Sequence, residues 1–228
     1  MILIEKTKTY GWEAAIRGMR NPMNSWEQSD SHPCDVTECA ACPLYTRNSA
    51  CDALGSEDLI LGPNDLDLAK RLATAGPDHG KFMRMITVTA DLTAPLYWWK
   101  EFDTYKIGTV ANSCSTMHKI HAKEFTLEDF SHEHLWDTAR MQLEETIRVL
   151  NVFRDAFDHL AAKDQYKKDC WWQMIQLLPS SYNQKRTVML NYAVLKNIYH
   201  ARKTHKLDEW RDFCGWIKSL PYSELITE

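Results

Sequence analysis

The sequence predicts an α+β fold, with a small, mostly antiparallel sheet and a long helical second half. Ile86, Val88, Ala90 and Leu92 alternate with Met85, Thr87, Thr89 and Asp91, the two-residue period of a strand with one buried face. Leu143, Ile147, Leu150, Phe153, Phe157 and Leu160 fall three or four apart, the period of an amphipathic helix. Strand signals come early in the chain and helical ones follow, so the two kinds of element are segregated rather than alternating.

In chain order, residues 2–5 predict a short strand and 12–19 a helix ended by Asn21-Pro22. Residues 21–58 are polar, irregular and rich in cysteine, the composition of a long excursion from the core. Gly62-Pro63-Asn64-Asp65 predicts a helix start, with Asn64 as cap and Asp67 at the third helical position. Leu68, Ala69, Leu72 and Ala73 would be its buried stripe and Gly76 its stop. After the strand at 85–92, Pro95 opens a helix carrying Tyr97-Trp98-Trp99-Lys100-Glu101-Phe102 towards Gly108.

A small, polar segment spans 109–116, and Thr126-Leu127-Glu128-Asp129 has the form of a capping box with Asp in place of Glu. Beyond the long helix, Trp171 to Leu178 predicts another, stopped by Pro179. Leu190, Val194, Ile198 and Ala201 mark the next, and Trp210, Phe213 and Ile217 the last. With no internal repeat, residues 1–228 are expected to form one domain, with a cysteine-rich insertion at about 30–56.

Composition narrows the function. A formal charge of -4 and a pI near 6.1 argue against a general nucleic-acid binder, which would usually be basic. No apolar run has the length of a membrane span, and the N-terminus is charged too soon for a secretory signal. A cytoplasmic setting is expected, in which the seven cysteines stay reduced or hold metal. Cys34, Cys39, Cys42 and Cys51 have the spacing C-x4-C-x2-C-x8-C. Four thiolates so close can close a tetrahedral zinc site and staple a loop that lacks a core. An iron–sulfur cluster and free thiols are the other readings of the same spacing.

Several stretches resemble the flavin-dependent thymidylate synthase (ThyX) family in order and spacing. They are the helix at 64–75 with the Gly76 turn, Phe82, the strand at 85–92 and the Ala94-Pro95-Leu96 helix start. Thr109, Asn112 and Ser115 match the family's S-x-N-E-x-S pattern, with one extra residue between. Leu178-Pro179, Tyr182-Asn183, Asn191 and Ile198-Tyr199-His200-Ala201-Arg202 match its C-terminal pattern. The similarity covers residues 59–118 and 171–218.

The resemblance implies an enzyme that uses FAD and NADPH to move a one-carbon unit from methylenetetrahydrofolate onto C5 of dUMP or a related uridine nucleotide. It also implies a homotetramer. By the same resemblance, Arg202, Ser115 and Asn112 are the expected catalytic positions. Lys106, Thr109, Tyr105 and His79 would touch the cofactor; Ser115, Arg186, Arg202 and His118 would touch the nucleotide.

The departures fall on charged positions. Thr104-Tyr105-Lys106 stands where the family has R-H-R, and Ser113, Met117 and Ile175 replace an acidic residue and two arginines. Two lost charge-assisted contacts cost about 3–6 kcal/mol, or about 10²–10⁴ in affinity. Lys106, His118, Lys119, Lys185 and Arg186 are the cations nearest in sequence to the emptied positions, and Arg186 is the best placed. An inactive nucleotide-binding or interaction protein with a zinc knuckle is the alternative.

Other residues have two readings. Tyr97-Trp98-Trp99 can stack on a flat ring, although core packing is the expected role. Asn24, Ser25 and Trp26, with Arg17 and Arg20, form either a phosphate-binding cluster or a solvated loop. Cys114 beside Ser115 lacks a recognisable base, so nucleophilic catalysis is not expected.

Overall fold

The fold comes from a computed structural model whose described residues are 1–34, 59–161 and 164–228. The strands are β1 (Leu3–Tyr10), β2 (His32–Pro33), β3 (Leu59–Ile60), β4 (Thr87–Pro95), β5 (Val110–Ser113) and β6 (Asn183–Asn191). The helices are α1 (Trp12–Arg20), α2 (Pro63–Thr74), α3 (Leu96–Phe102), α4 (Thr116–Lys119), α5 (Asp137–His159), α6 (Gln165–Leu177), α7 (Tyr192–Arg202), α8 (Asp208–Ser219) and α9 (Glu224–Thr227). The main sheet is small and antiparallel, in the order β1-β4-β6-β5, and β2 pairs with β3 in a second sheet. The α+β expectation is met. Among the described residues, no helix is long and apolar enough to cross a membrane.

The chain divides into two compact units. One comprises Met1–Leu3, Thr93–Asp103 and Asn112–Arg186. Within it α5 packs against α6, around a core of Ile120, Phe125, Phe130, Leu143, Ile147, Leu150 and Met174. The capping box forms as expected at the turn Leu127–Asp129. Trp98 and Trp99 are buried, with ring centroids 4.9 Å apart, and Trp99 Nε1 donates to the Gln184 carbonyl at 3.0 Å. Core packing is therefore their role in this unit.

The other unit comprises Ile4–Leu92, Thr104–Ala111 and Thr187–Glu228. Its core centres on Trp12, whose ring meets Tyr192 and Tyr222 edge-on at 5.1 Å each. Trp12 Nε1 donates to Thr9 Oγ1, and the Tyr222 hydroxyl accepts from the Leu61 backbone N–H. These bonds satisfy polar groups that the packing hides. Gly11 enters α1 at φ 88°, where a Cβ would strike the Met85 carbonyl oxygen, so the chain needs glycine there.

Several boundaries differ from the sequence expectation. The strand β1 runs to Tyr10, and α3 stops at Phe102 rather than approaching Gly108. The helix α6 begins at Gln165, six residues before Trp171. Leu190 belongs to β6, which the sequence did not predict. The first half of that strand is Asn-Gln-Lys-Arg, and its buried position 184 is a glutamine, so the apolar alternation that betrays β4 is missing. The excursion after α1 is not wholly irregular: Asn21–Met23 and Trp26–Gln28 form 3₁₀ turns, and residues 32–33 pair with 59–60.

Candidate functional site

In the unit that holds α1 and α2 lies a cavity of about 1770 Å³, larger than an ordinary small-molecule pocket. Its walls are α1, the turns that follow it, α2 and the 3₁₀ turn Gly80–Arg84. Leu68, Leu72, Phe82 and Met85 supply apolar surface. Leu68 and Leu72 were expected in the buried stripe of α2; they are only half-buried and turn to the cavity, while Ala69 and Ala73 are buried. Arg17, Arg71, Lys81 and His79 also line it.

A buried charge hub sits beside this cavity. Arg20 Nε donates to Asp65 Oδ1 at 2.6 Å, with both side chains buried. Asp65 Oδ2 accepts from the hydroxyls of Ser29 and Ser31, at 2.7 and 2.6 Å, and from the Asp30 and Ser31 backbone N–H groups. Burial alone would raise the Asp65 pKa. The bonds from Ser31, Ser29 and Arg20, with the Arg20 charge, outweigh it and hold the carboxyl below its ordinary value.

Asp30 in turn accepts from the backbone N–H groups of Asn64 and Asp65 at 2.9 and 3.0 Å. The α2 start is thus capped from a distant residue. Gly62 stands at the cap position, Asn64 is the second helical residue, and Asp65, not Asp67, occupies the third.

Also in this unit, Arg202 Nε donates to the Tyr105 hydroxyl at 2.9 Å, and the Arg202 guanidinium lies 4.9 Å from the Trp210 ring centroid. Two expected site residues therefore meet directly. Lys106 is exposed and makes no hydrogen bond or ion pair among the described residues. Thr109 buries its Oγ1 with no partner among the described residues, an unsatisfied group that a ligand can serve. His79 is exposed on the cavity rim.

The remaining expected residues lie in the unit that holds α5 and α6. Arg186 Nη1 donates to Asp103 at 2.7 Å, its Nε donates to Gln184 Oε1 at 3.0 Å, and its guanidinium lies 4.1 Å from the Trp99 ring centroid. The best-placed replacement cation is already held by three partners. Asn112 is exposed on β5. Ser115 Oγ accepts from the His118 backbone N–H at 3.0 Å and caps α4, leaving its own proton to donate. The His118 side chain is exposed.

The positions that lack the family's arginines have other work. Ile175 packs against the apolar core, and the Met117 carbonyl accepts from Trp171 Nε1 at 2.9 Å. Cys39, Cys42 and Cys51 of the candidate metal site lie outside the described residues, and Cys34 is half-buried. Among the described residues no group of three or more His, Cys, Asp or Glu is placed to hold a metal.

Sequence reasoning grouped Arg17 with Arg20, but the structure separates them: both line the cavity, yet Arg17 is exposed and Arg20 is buried against Asp65. It missed Arg71 and Lys81. The available signal was a helix with Leu68 and Leu72 on one side and Arg71 beside them, a mixed face suited to a ligand.

No protein-family model matches the sequence, and no curated protein does. Solved structures do match. One is the crystal structure of flavin-dependent thymidylate synthase ThyX from Helicobacter pylori complexed with FAD and dUMP. It matches with TM-score 0.62 and 15% identity, over 98% of this chain and 96% of that one. A second structure of thymidylate synthase X from Helicobacter pylori, also with FAD and dUMP, matches with TM-score 0.62 and 14% identity, over 100% and 97%. The chain has the ThyX-like fold.

Proposed function

We propose that this chain, built on the ThyX-like fold, binds FAD and a uridine nucleotide and reductively methylates C5 of dUMP or a close relative. Methylenetetrahydrofolate is the one-carbon donor and NADPH the reductant in this reading. The observation that carries it is the likeness, along almost the whole chain, to two structures whose ligands are FAD and dUMP. A homotetramer in the cytoplasm belongs to the same reading, and so does zinc at Cys34, Cys39, Cys42 and Cys51. Metal analysis of the purified protein, with Cys39→Ser as control, tests the zinc.

The residues present suit a flavin dinucleotide. A flat ring needs apolar surface, which Leu68, Leu72, Phe82 and Met85 offer, and His79 stands at the same cavity. The unpartnered Thr109 hydroxyl suits a polar edge of a ligand. Bound flavin supplies the redox chemistry; the chain supplies binding, orientation and charge. Lys106 is the cation left at the R-H-R position, with Tyr105 beside it. Arg202, fixed by Tyr105 and Trp210, orients the pyrimidine or its phosphate. Asn112, Ser115 and His118 offer hydrogen bonds to the nucleotide, and Arg186 would assist through N–H groups not bonded to Asp103 or Gln184.

A second reading, a nucleotide-binding or interaction protein without flavin chemistry, is favoured by one observation. Ile175 packs against a core where the family resemblance predicts an arginine, so that position itself supplies no cation. Titration with FAD, followed by flavin fluorescence and absorbance, separates the two. The enzyme reading expects a bound flavin spectrum that dUMP perturbs, and rescue of a thymidine auxotroph. A protein that binds dUMP but takes up no FAD belongs to the second reading.

A further inference from the structure

We propose that Arg17, Arg71 and Lys81 grip the diphosphate of a dinucleotide in the α1–α2 cavity; this rests on the flavin reading. The three reach the cavity from separate elements: α1, α2 and the turn Gly80–Arg84. A diphosphate presents two adjacent anionic groups, and two guanidiniums can each bind one through paired N–H donors.

Their present partners hold them weakly. Arg17 pairs with Glu13 at 3.3 Å and Arg71 with Asp67 at 3.0 Å, each between side chains about two-thirds exposed or more, four residues apart on one helix. Exposed pairs of this kind contribute little, so a ligand can displace them. Lys81 is exposed and makes no hydrogen bond or ion pair among the described residues. Arg20 is unsuited to the task, since its side chain is buried and Nε and Nη1 are bonded to Asp65 and the Ser25 carbonyl.

The cavity also holds carboxylates, and they do not cancel the grip. Asp30 is engaged by the α2 backbone, and Asp67 is the partner a phosphate would replace. Glu27 and Asp78 remain as repulsive neighbours, so the affinity depends on Arg17 and Arg71 together. The apolar surface of Leu68, Leu72, Phe82 and Met85 serves the uncharged ring at the other end of such a ligand.

The test compares the intact protein with Arg17→Ala/Arg71→Ala, titrated with FAD, riboflavin and ADP. Arg140→Ala/Arg148→Ala is the control, because it removes two exposed, paired arginines from the other unit. We expect the cavity variant to fold normally and to bind FAD about 100-fold more weakly or worse, at tenfold or more per lost contact. Riboflavin, without the diphosphate, should bind both proteins alike.

Equal FAD affinity in both proteins overturns the inference and leaves the flavin reading standing, as does an equal loss of FAD and riboflavin. A protein that ignores FAD but binds ADP, with ADP lost in the variant, keeps the diphosphate site and overturns the flavin reading. Binding of neither ligand overturns both.

Discussion

Arg17 and Arg20 stand one turn apart on α1, yet their chemistry differs completely. Arg20 is 4% exposed and closes on a carboxylate that four other donors also serve. Arg17 is 66% exposed and leans on one glutamate that is itself in water. The first pair has become part of the frame, because breaking it strands a charge where water cannot reach. The second costs little to break, and that makes Arg17 available. Arg186 lies between the extremes, 15% exposed and stacked on Trp99, while its partner Asp103 is half in water. A cation's position in the sequence says that a grip is conceivable; its partners say whether it is free to act.

The contrast can be broken most forcefully at Asp65. Asp65→Ala should cost about 3–5 kcal/mol, since it leaves the Arg20 charge buried without its partner. Urea unfolding measures it, and a loss no larger than that of an exposed pair would erase the distinction.

Acid sharpens the same point. The folded Asp65 carboxyl lies below its ordinary value of 3.8, so its contribution is complete above that value and is lost as the pH falls through the folded value. Wild type should therefore lose stability relative to Asp65→Asn below about pH 4 and not above it. Parallel pH-dependent melting curves would show otherwise.

Arg186→Ala comes next, at about 1–2 kcal/mol, from one charge-assisted bond and one stacked ring. Arg186→Lys should recover little, because an ammonium cannot keep the planar stack and the bond to Gln184 together. An unchanged melting temperature with weakened dUMP binding would recast Arg186 as a ligand rather than a strut. Arg17→Ala should be the mildest, within about 0.5 kcal/mol of wild type without ligand. A larger loss, read in the same urea titration, would mean that Arg17 too belongs to the frame.

Much of the fold was legible before any coordinates. The alternation from Val88 to Leu92 became part of β4, with Val88, Ala90 and Leu92 buried and Ile86 buried just before it. The three-and-four spacing of Leu143, Ile147 and Leu150 became the buried face of α5. The candidate site was legible only in pieces. Tyr105, Lys106, Thr109 and Arg202 were named as site residues, and Tyr105 and Arg202 are bonded. The pairing of Arg186 with Asp103 was not foreseeable, because the partners are 83 residues apart.

The sequence by itself determined where most periodic elements lie and that α2 stops by Gly76, because periodicity and backbone sterics act between near neighbours. Tertiary structure decided the rest. It placed Gln184 at a buried position of a strand, set Asp30 at the head of a helix more than thirty residues away, and hid Arg20 while leaving Arg17 in water. The strength of a charge depends on how much water and which counter-charges surround it, and folding sets both.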